Sequence, residues 1–245
     1  MKIDVFKIEE WMNKYERLAK YDFTATCIKS FSLKDFFEFT GKDLNEILEK
    51  PLDYGDITGS DRLKTNAAKL YKNKTTDNIA VTLGAIGANS LVFTSLLEKD
   101  DEVVAIIPTY QQHYSVPKSL GANVKFVFLK EKSGWMPDLK EIDSVVSGKT
   151  KLICINNPNN PTGSVMPDKM TEEFVSIAEK NNSWILSDEV YRGLNLSDAM
   201  YSVSIADIYD KGISVGSMSK TYSLPGLRVG WVYACKQLIS EVNKY

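Results

Sequence analysis

Residues 151–191 read KLICINNPNNPTGSVMPDKMTEEFVSIAEKNNSWILSDEVY. A short β-rich run, Lys151–Ile155, passes through an Asn- and Pro-rich string into a helical stretch and then into a second β-rich run, Trp184–Ser187. The same alternation continues upstream at Ile79–Leu83, Val103–Ile107 and Val124–Leu129, and downstream at Ile213–Gly216 and Val229–Ala234. Strands that alternate with helices predict an α/β fold, here a mostly parallel seven-stranded sheet with helices on both faces. No internal repeat, low-complexity tract or Pro/Gly/Ser linker interrupts the pattern.

Before this region, Phe6, Trp11, Tyr15 and Leu18 recur at helical spacing, and Leu33, Phe36 and Phe37 form a second short segment. Both are expected to serve packing. The 245 residues are 43% hydrophobic and 25% charged, an ordinary globular composition, and the net charge of −2 gives no electrostatic basis for binding nucleic acid. Cys27, Cys154 and Cys235 are odd in number and far apart, so they form neither a disulfide framework nor a CxxC metal site. The start of the chain lacks a secretory apolar core, and no stretch approaches the ~18 uninterrupted apolar residues of a membrane span. The cytoplasm is the expected compartment, with no membrane partner.

In sheets of this kind chemistry collects at the carboxyl ends of the strands, and the unusual residues cluster there. Gly84-Ala85-Ile86-Gly87-Ala88-Asn89 follows the first run and can offer backbone N–H groups at a helix start to a phosphate. It matches neither GxGxxG nor GxxxxGK[ST], and small residues also serve tight helix–strand packing. Asn156–Gly163 is by composition a turn. Asp188 suits either a helix N-cap or a buried acid that needs a cationic partner. Lys220, beyond Ser217 and before Gly226, Arg228 and Gly230, suits either a solvated surface or a nucleophilic amine. His113 is the sole histidine, which argues against a metalloenzyme.

Three strings in order, NNPNNPTG (156–163), SDEVY (187–191) and SMSKTYSLPGLRVGW (217–231), resemble those of the class I/II aminotransferases of pyridoxal-phosphate (PLP) fold type I. The resemblance implies that Lys220 holds pyridoxal 5′-phosphate as a Schiff base and shuttles the substrate's proton. It implies that Asp188 pairs with the pyridine nitrogen and keeps the ring an electron sink, with His113 behind it. Asn160 and Tyr191 are then the partners of the phenolic oxygen, and the Asn160–Pro161 bond is cis as in the family. Tyr110 stacks on the ring. Ser217, Arg228 and the turn Gly84, Ala85 and Ile86 take the phosphate, for which a guanidinium fork is suited. Tyr54 of the partner subunit reaches the same phosphate, so a homodimer acting on an amino acid and a 2-oxo acid is implied.

The resemblance further implies residues 1–48 as an N-terminal arm with helices, part of a small domain, and 49–245 as the PLP-binding large domain. The expectation is that this chain lacks the small C-terminal domain, so the arginine for the substrate's α-carboxylate is not assigned. Before residue 50 the family's glycine-containing substrate arm has no match. Asp22–Leu33, with Thr24, Thr26 and Cys27, is similar instead to capreomycidine-synthase-like members. Transamination is the first expected activity. A PLP-dependent lyase or cyclase, or a non-catalytic PLP-binding module, is the alternative.

Overall fold

The computed structural model describes residues 2–72, 75–194 and 200–245. The chain opens with helices α1 (Lys7–Tyr15), α2 (Leu33–Thr40), α3 (Asn45–Leu48) and α4 (Asp61–Ala68). Strands and helices then alternate as β1 (Ile79–Leu83), α5 (Gly84–Leu96), β2 (Glu102–Ile107), α6 (Gln112–Ser119), β3 (Asn123–Phe128) and α7 (Leu139–Val145). They continue as β4 (Thr150–Asn156), α8 (Asp168–Lys180), β5 (Trp184–Asp188), α9 (Ile205–Ile208), β6 (Gly212–Ser217), β7 (Val229–Tyr233) and α10 (Lys236–Val242). Every β-rich run of the sequence is a strand, with ends displaced by no more than one residue.

Among the described residues the strands form one seven-stranded sheet in the order β1-β7-β6-β5-β4-β2-β3. Neighbours from β6 through to β3 are parallel, whereas β7 is antiparallel to both β6 and β1. The reversal follows from the link, since residues 218–228 hold only a 3-10 turn at Pro225–Leu227. A parallel return needs a crossover of roughly a dozen residues or more, usually helical.

Strand residues bury themselves on both faces. Leu152 and Cys154 of β4 pack with Ala88, Val92 and Phe93 of α5, while Ile153 and Ile155 turn to Ile142 of α7 and Phe174 and Ala178 of α8. Burying an aliphatic or phenyl side chain of this size contributes about 1.5–3 kcal/mol. Burial on both faces is the reason these runs show no polar alternation.

The N-terminal segment differs from expectation. Trp11, Tyr15, Leu18 and Leu33 are exposed, and neither α1 nor α2 contains a buried residue. Among the described residues the segment packs little apolar surface on the sheet: Phe6 meets Tyr110 with ring centroids 5.9 Å apart, and further ties are polar. The Gln111 amide donates to the Val5 carbonyl at 2.9 Å and accepts from the Lys7 N–H at 3.2 Å, and the Phe31 N–H donates to the Ser223 carbonyl at 3.3 Å. Among the described residues no helix is long and apolar enough to cross a membrane.

Candidate active site

Because β7 is reversed, its amino end lies on the same rim as the carboxyl ends of β1 and β6, with Leu83 opposite Val229 and Ser217 opposite Gly230. The turns on this rim carry Gly84, Tyr110, Asn160, Asp188, Tyr191, Ser217, Lys220 and Arg228. They close or follow five strands, β1, β2, β4, β5 and β6, and the sheet brings them together.

Asp188 closes β5 and is 4% exposed. No helix begins there, so it is not a helix cap. Its Oδ2 lies 3.3 Å from His113 Nε2 and accepts from Asn89 Nδ2 at 3.2 Å, and its Oδ1 accepts from the Val190 N–H at 3.2 Å. His113 is fully buried, and its Nδ1 lies 2.8 Å from the Thr109 hydroxyl. A carboxylate only accepts, so Nε2 carries a proton towards Asp188, and the Thr109 hydroxyl, which can donate or accept, holds the other ring nitrogen. Tyr110 stands edge-on to His113, with centroids 6.5 Å apart and an interplanar angle of 86°. Burial first, and then the Glu9 carboxylate, push the Tyr110 hydroxyl well above its ordinary pKa; that hydroxyl donates to Glu9 Oε1 at 3.1 Å.

The Asn-rich string is a turn in which the Asn156, Asn157 and Asn159 amides satisfy backbone groups that a tight loop would otherwise strand. Asn156 Nδ2 donates to the Asp188 carbonyl at 2.7 Å and its Oδ1 accepts from the Asn160 N–H at 2.6 Å. Asn159 Nδ2 donates to the Pro108 carbonyl at 3.1 Å, and Asn157 Oδ1 accepts from the Met166 N–H at 2.9 Å. The bonds preceding Pro108, Pro158 and Pro161 are cis. So braced, Asn160 directs Nδ2 to the Tyr191 hydroxyl at 3.2 Å. Burial raises the Tyr191 pKa, and a Thr26 hydrogen bond and the Lys220 charge offset part of the rise.

Lys220 Nζ donates to Thr26 Oγ1 at 2.7 Å and to Cys27 Sγ at 3.3 Å, and lies 6.0 Å from the centroid of the Tyr191 ring. Among the described residues neither Lys220 nor Arg228 has a carboxylate within ion-pair distance. Arg228 takes left-handed backbone at φ 53°, an unfavourable setting for a non-glycine residue, and donates from Nη1 to the Pro225 carbonyl at 2.7 Å. Its guanidinium fits against Gly84 because that residue has no side chain: a Cβ there would stand 2.6 Å from Nη2. A Cβ on Gly230 would likewise stand 2.4 Å from the Gly84 carbonyl carbon. The first N–H groups of α5, at Gly84, Ala85 and Ile86, have no partners inside the helix and carry the positive end of its dipole. Gly84 adjoins Arg228 and Gly230, and Ser217 is paired with Gly230, so these donors stand along one edge of the rim and suit an anion.

Tyr54 is not brought to this rim within the chain and is fully exposed. Conversely, Thr109 and Gln112 join the site without having been singled out from sequence, while Thr26 and Cys27, named in the Asp22–Leu33 stretch, and Asn89, named in the Gly84–Asn89 string, had been given no role of their own. Thr26 is 194 residues from Lys220, a distance no local pattern spans. Asn89 did leave a signal, as the polar residue that closes the small-residue string Gly84–Asn89.

The sequence profile of aminotransferase class I and II matches residues 42–245. An aspartate aminotransferase from Pyrococcus horikoshii is 32% identical over 215 residues, which are 84% of this chain and 55% of that protein. Capreomycidine synthase from Streptomyces vinaceus is 27% identical over 240 residues, or 96% of this chain and 61% of that one. Among solved structures, a PLP-dependent aminotransferase from Streptococcus suis 89-1591 superposes with a TM-score of 0.94 at 44% identity, covering 100% of this chain and 66% of the other. This chain therefore spans little more than half of the two named sequence relatives. The profile covers the whole rim, from the Gly84 turn to Arg228, and the sheet follows that of the solved aminotransferase: the chain belongs to the class I and II aminotransferases.

Proposed function

We propose that this chain is the cofactor-binding part of a PLP-dependent amino-acid aminotransferase, with an amino acid and a 2-oxo acid as substrates. The observation that carries the reading is the meeting on one rim of an amine with no carboxylate partner among the described residues, a carboxylate held by His113, Asn89 and a backbone N–H, and a guanidinium against a glycine turn.

This donor set fits pyridoxal 5′-phosphate group by group. Lys220 Nζ would take the aldehyde, and Asp188, backed by His113, the ring nitrogen. Asn160 and Tyr191 would take the phenolic oxygen, and Tyr110 a ring face. Ser217, Arg228 and the N–H groups of Gly84, Ala85 and Ile86 would hold the phosphate. Bound PLP supplies an electron sink that eases loss of the proton on the substrate's Cα. The chain's part is to place groups and move protons. Lys220 Nζ, once freed, carries the proton at that Cα. Thr26 orients the amine, and the arm formed by residues 1–48 covers the rim and excludes water. We assign that arm to a small domain and residues 49–245 to the large domain. The assembly is a cytoplasmic homodimer in which Tyr54 of the partner subunit completes the phosphate site.

The kinship with capreomycidine synthase, which extends over the Thr26–Cys27 stretch, supports a second reading as a PLP-dependent lyase or cyclase. One experiment separates them. The full-length protein is loaded with PLP and given single amino acids without a 2-oxo acid. Conversion of bound PLP to pyridoxamine phosphate, read by absorbance and mass, is the expected result. Turnover only of amino acids bearing a β or γ leaving group, with PLP recovered unchanged, would replace transamination by the second reading.

A further inference from the structure

Asn89 lies wholly buried on α5, and none of the proposed cofactor contacts uses it. Its Nδ2 donates at 3.2 Å both to Asp188 Oδ2 and to Gln112 Oε1, and its Oδ1 is buried without a hydrogen-bond partner. The orientation of these amides is set from one fixed point. The Ile86 carbonyl can only accept, so the group 2.7 Å from it must be Gln112 Nε2, which also donates to Ser90 Oγ at 2.9 Å. Gln112 therefore turns Oε1 towards Asn89. Asn89 must answer with Nδ2, and the same NH₂ reaches Asp188. Flipping the Asn89 amide would set its oxygen against two acceptors, so the chain instead leaves Oδ1 stranded, an arrangement buried polar groups ordinarily avoid.

We propose that Asn89, held by Gln112, is a positioning residue that fixes the Asp188 carboxylate and couples it to the turn at Ile86. The proposal rests on the PLP reading of Asp188 and of that turn. With His113 on one side and Asn89 on the other, Oδ2 is locked by side chains from α5 and α6. Oδ1 is left with a single backbone donor, the Val190 N–H. The ring-nitrogen end and the phosphate end of the cofactor would thus share one hydrogen-bonded chain.

The test uses the full-length protein carrying Asn89→Leu, Asn89→Asp, Gln112→Leu or the Leu/Leu pair. Three readouts are taken: PLP affinity, the ¹⁵N shift of the ring nitrogen in [¹⁵N]PLP bound to the protein, and the ring ¹⁵N resonances of His113 without PLP. His113 is the sole histidine, so its signals are unambiguous. Asn89→Leu is expected to weaken PLP about tenfold, in the range seen when partners behind a ligating group are removed. It should also move the cofactor's ring-nitrogen shift towards the unprotonated value and displace the His113 resonances. Gln112→Leu should have a smaller effect, and the pair should be no worse than Asn89→Leu alone. If Asn89→Leu does not fold, Asn89→Asp and Gln112→Leu decide by the same readouts. Wild-type protein that binds PLP, with variants unchanged in affinity and both spectra, overturns this proposal alone. Wild-type protein that fails to bind PLP overturns the reading beneath it as well.

Discussion

Lys220 Nζ stands between a hydroxyl and a thiol, Thr26 at 2.7 Å and Cys27 at 3.3 Å, and both neighbours give the amine measurable consequences. Borohydride treatment of the PLP-loaded protein should fix the cofactor to the peptide containing Lys220, and Lys220→Ala should abolish the adduct in the mass spectrum. A thiol reagent applied to the native protein should label Cys27, and PLP loading should slow that labelling. Cys154 should stay unlabelled until the protein unfolds, because its thiol is fully buried and burial pushes its pKa up. Lys220, Asp188 and Asn160 could be singled out because each stands in one of three contiguous strings whose order resembles that of a known family, although each string alone was open to a plainer reading. Thr26 and Asn89 could not, since their roles depend on which distant chain lies beside them.

At the scale of elements, the strands were legible because burial on both faces leaves uninterrupted apolar runs, as at Leu152–Ile155. The exposure of Trp11 and Leu33 was not, because helical spacing marks an apolar face without naming what covers it. Gly230 ties β7 to the start of α5, and Gly230→Ala would drive a Cβ to 2.4 Å from backbone that has no room to yield. The expected cost is about 1–3 kcal/mol in denaturant unfolding, together with loss of PLP affinity. Glu189 lies buried between β5, β6 and α9, where it accepts from Ser214 Oγ at 2.8 Å, Ser204 Oγ at 3.1 Å and the Ile205 N–H at 3.2 Å. Burial, only partly countered by Arg192, pushes its carboxyl from the ordinary 4.5 up to about 7. Below the ordinary value both folded and unfolded chains hold the proton. Across the window up to about 7 only the folded chain does, so stability falls as pH rises and the full cost is present above it. Glu189→Gln should therefore stabilise the fold more at pH 8 than at pH 5, the difference in unfolding free energy being on the order of 3 kcal/mol at most.

At the scale of the whole molecule, Leu52, Tyr54 and Ile57 stand fully exposed between the arm and α4. In the proposed homodimer these side chains lie against the second subunit, and sedimentation should give twice the chain mass. Mixing Lys220→Ala with Tyr54→Ala chains then supplies a sharper measurement, since one site in each hybrid dimer regains both residues. PLP binding and half-reaction activity should reappear in the mixture though each parent lacks them. The sheet also fixes when the site can exist. Among the described residues β1 pairs with β7 alone, so Ile79–Leu83 stays unpaired until Tyr233 has been synthesised. The Gly84 turn, which lies against Gly230, is shaped only then. Closure over so long a stretch of chain is slow, and a nascent chain halted before Val229 should not retain PLP, so cofactor capture waits for the β7 segment to be synthesised.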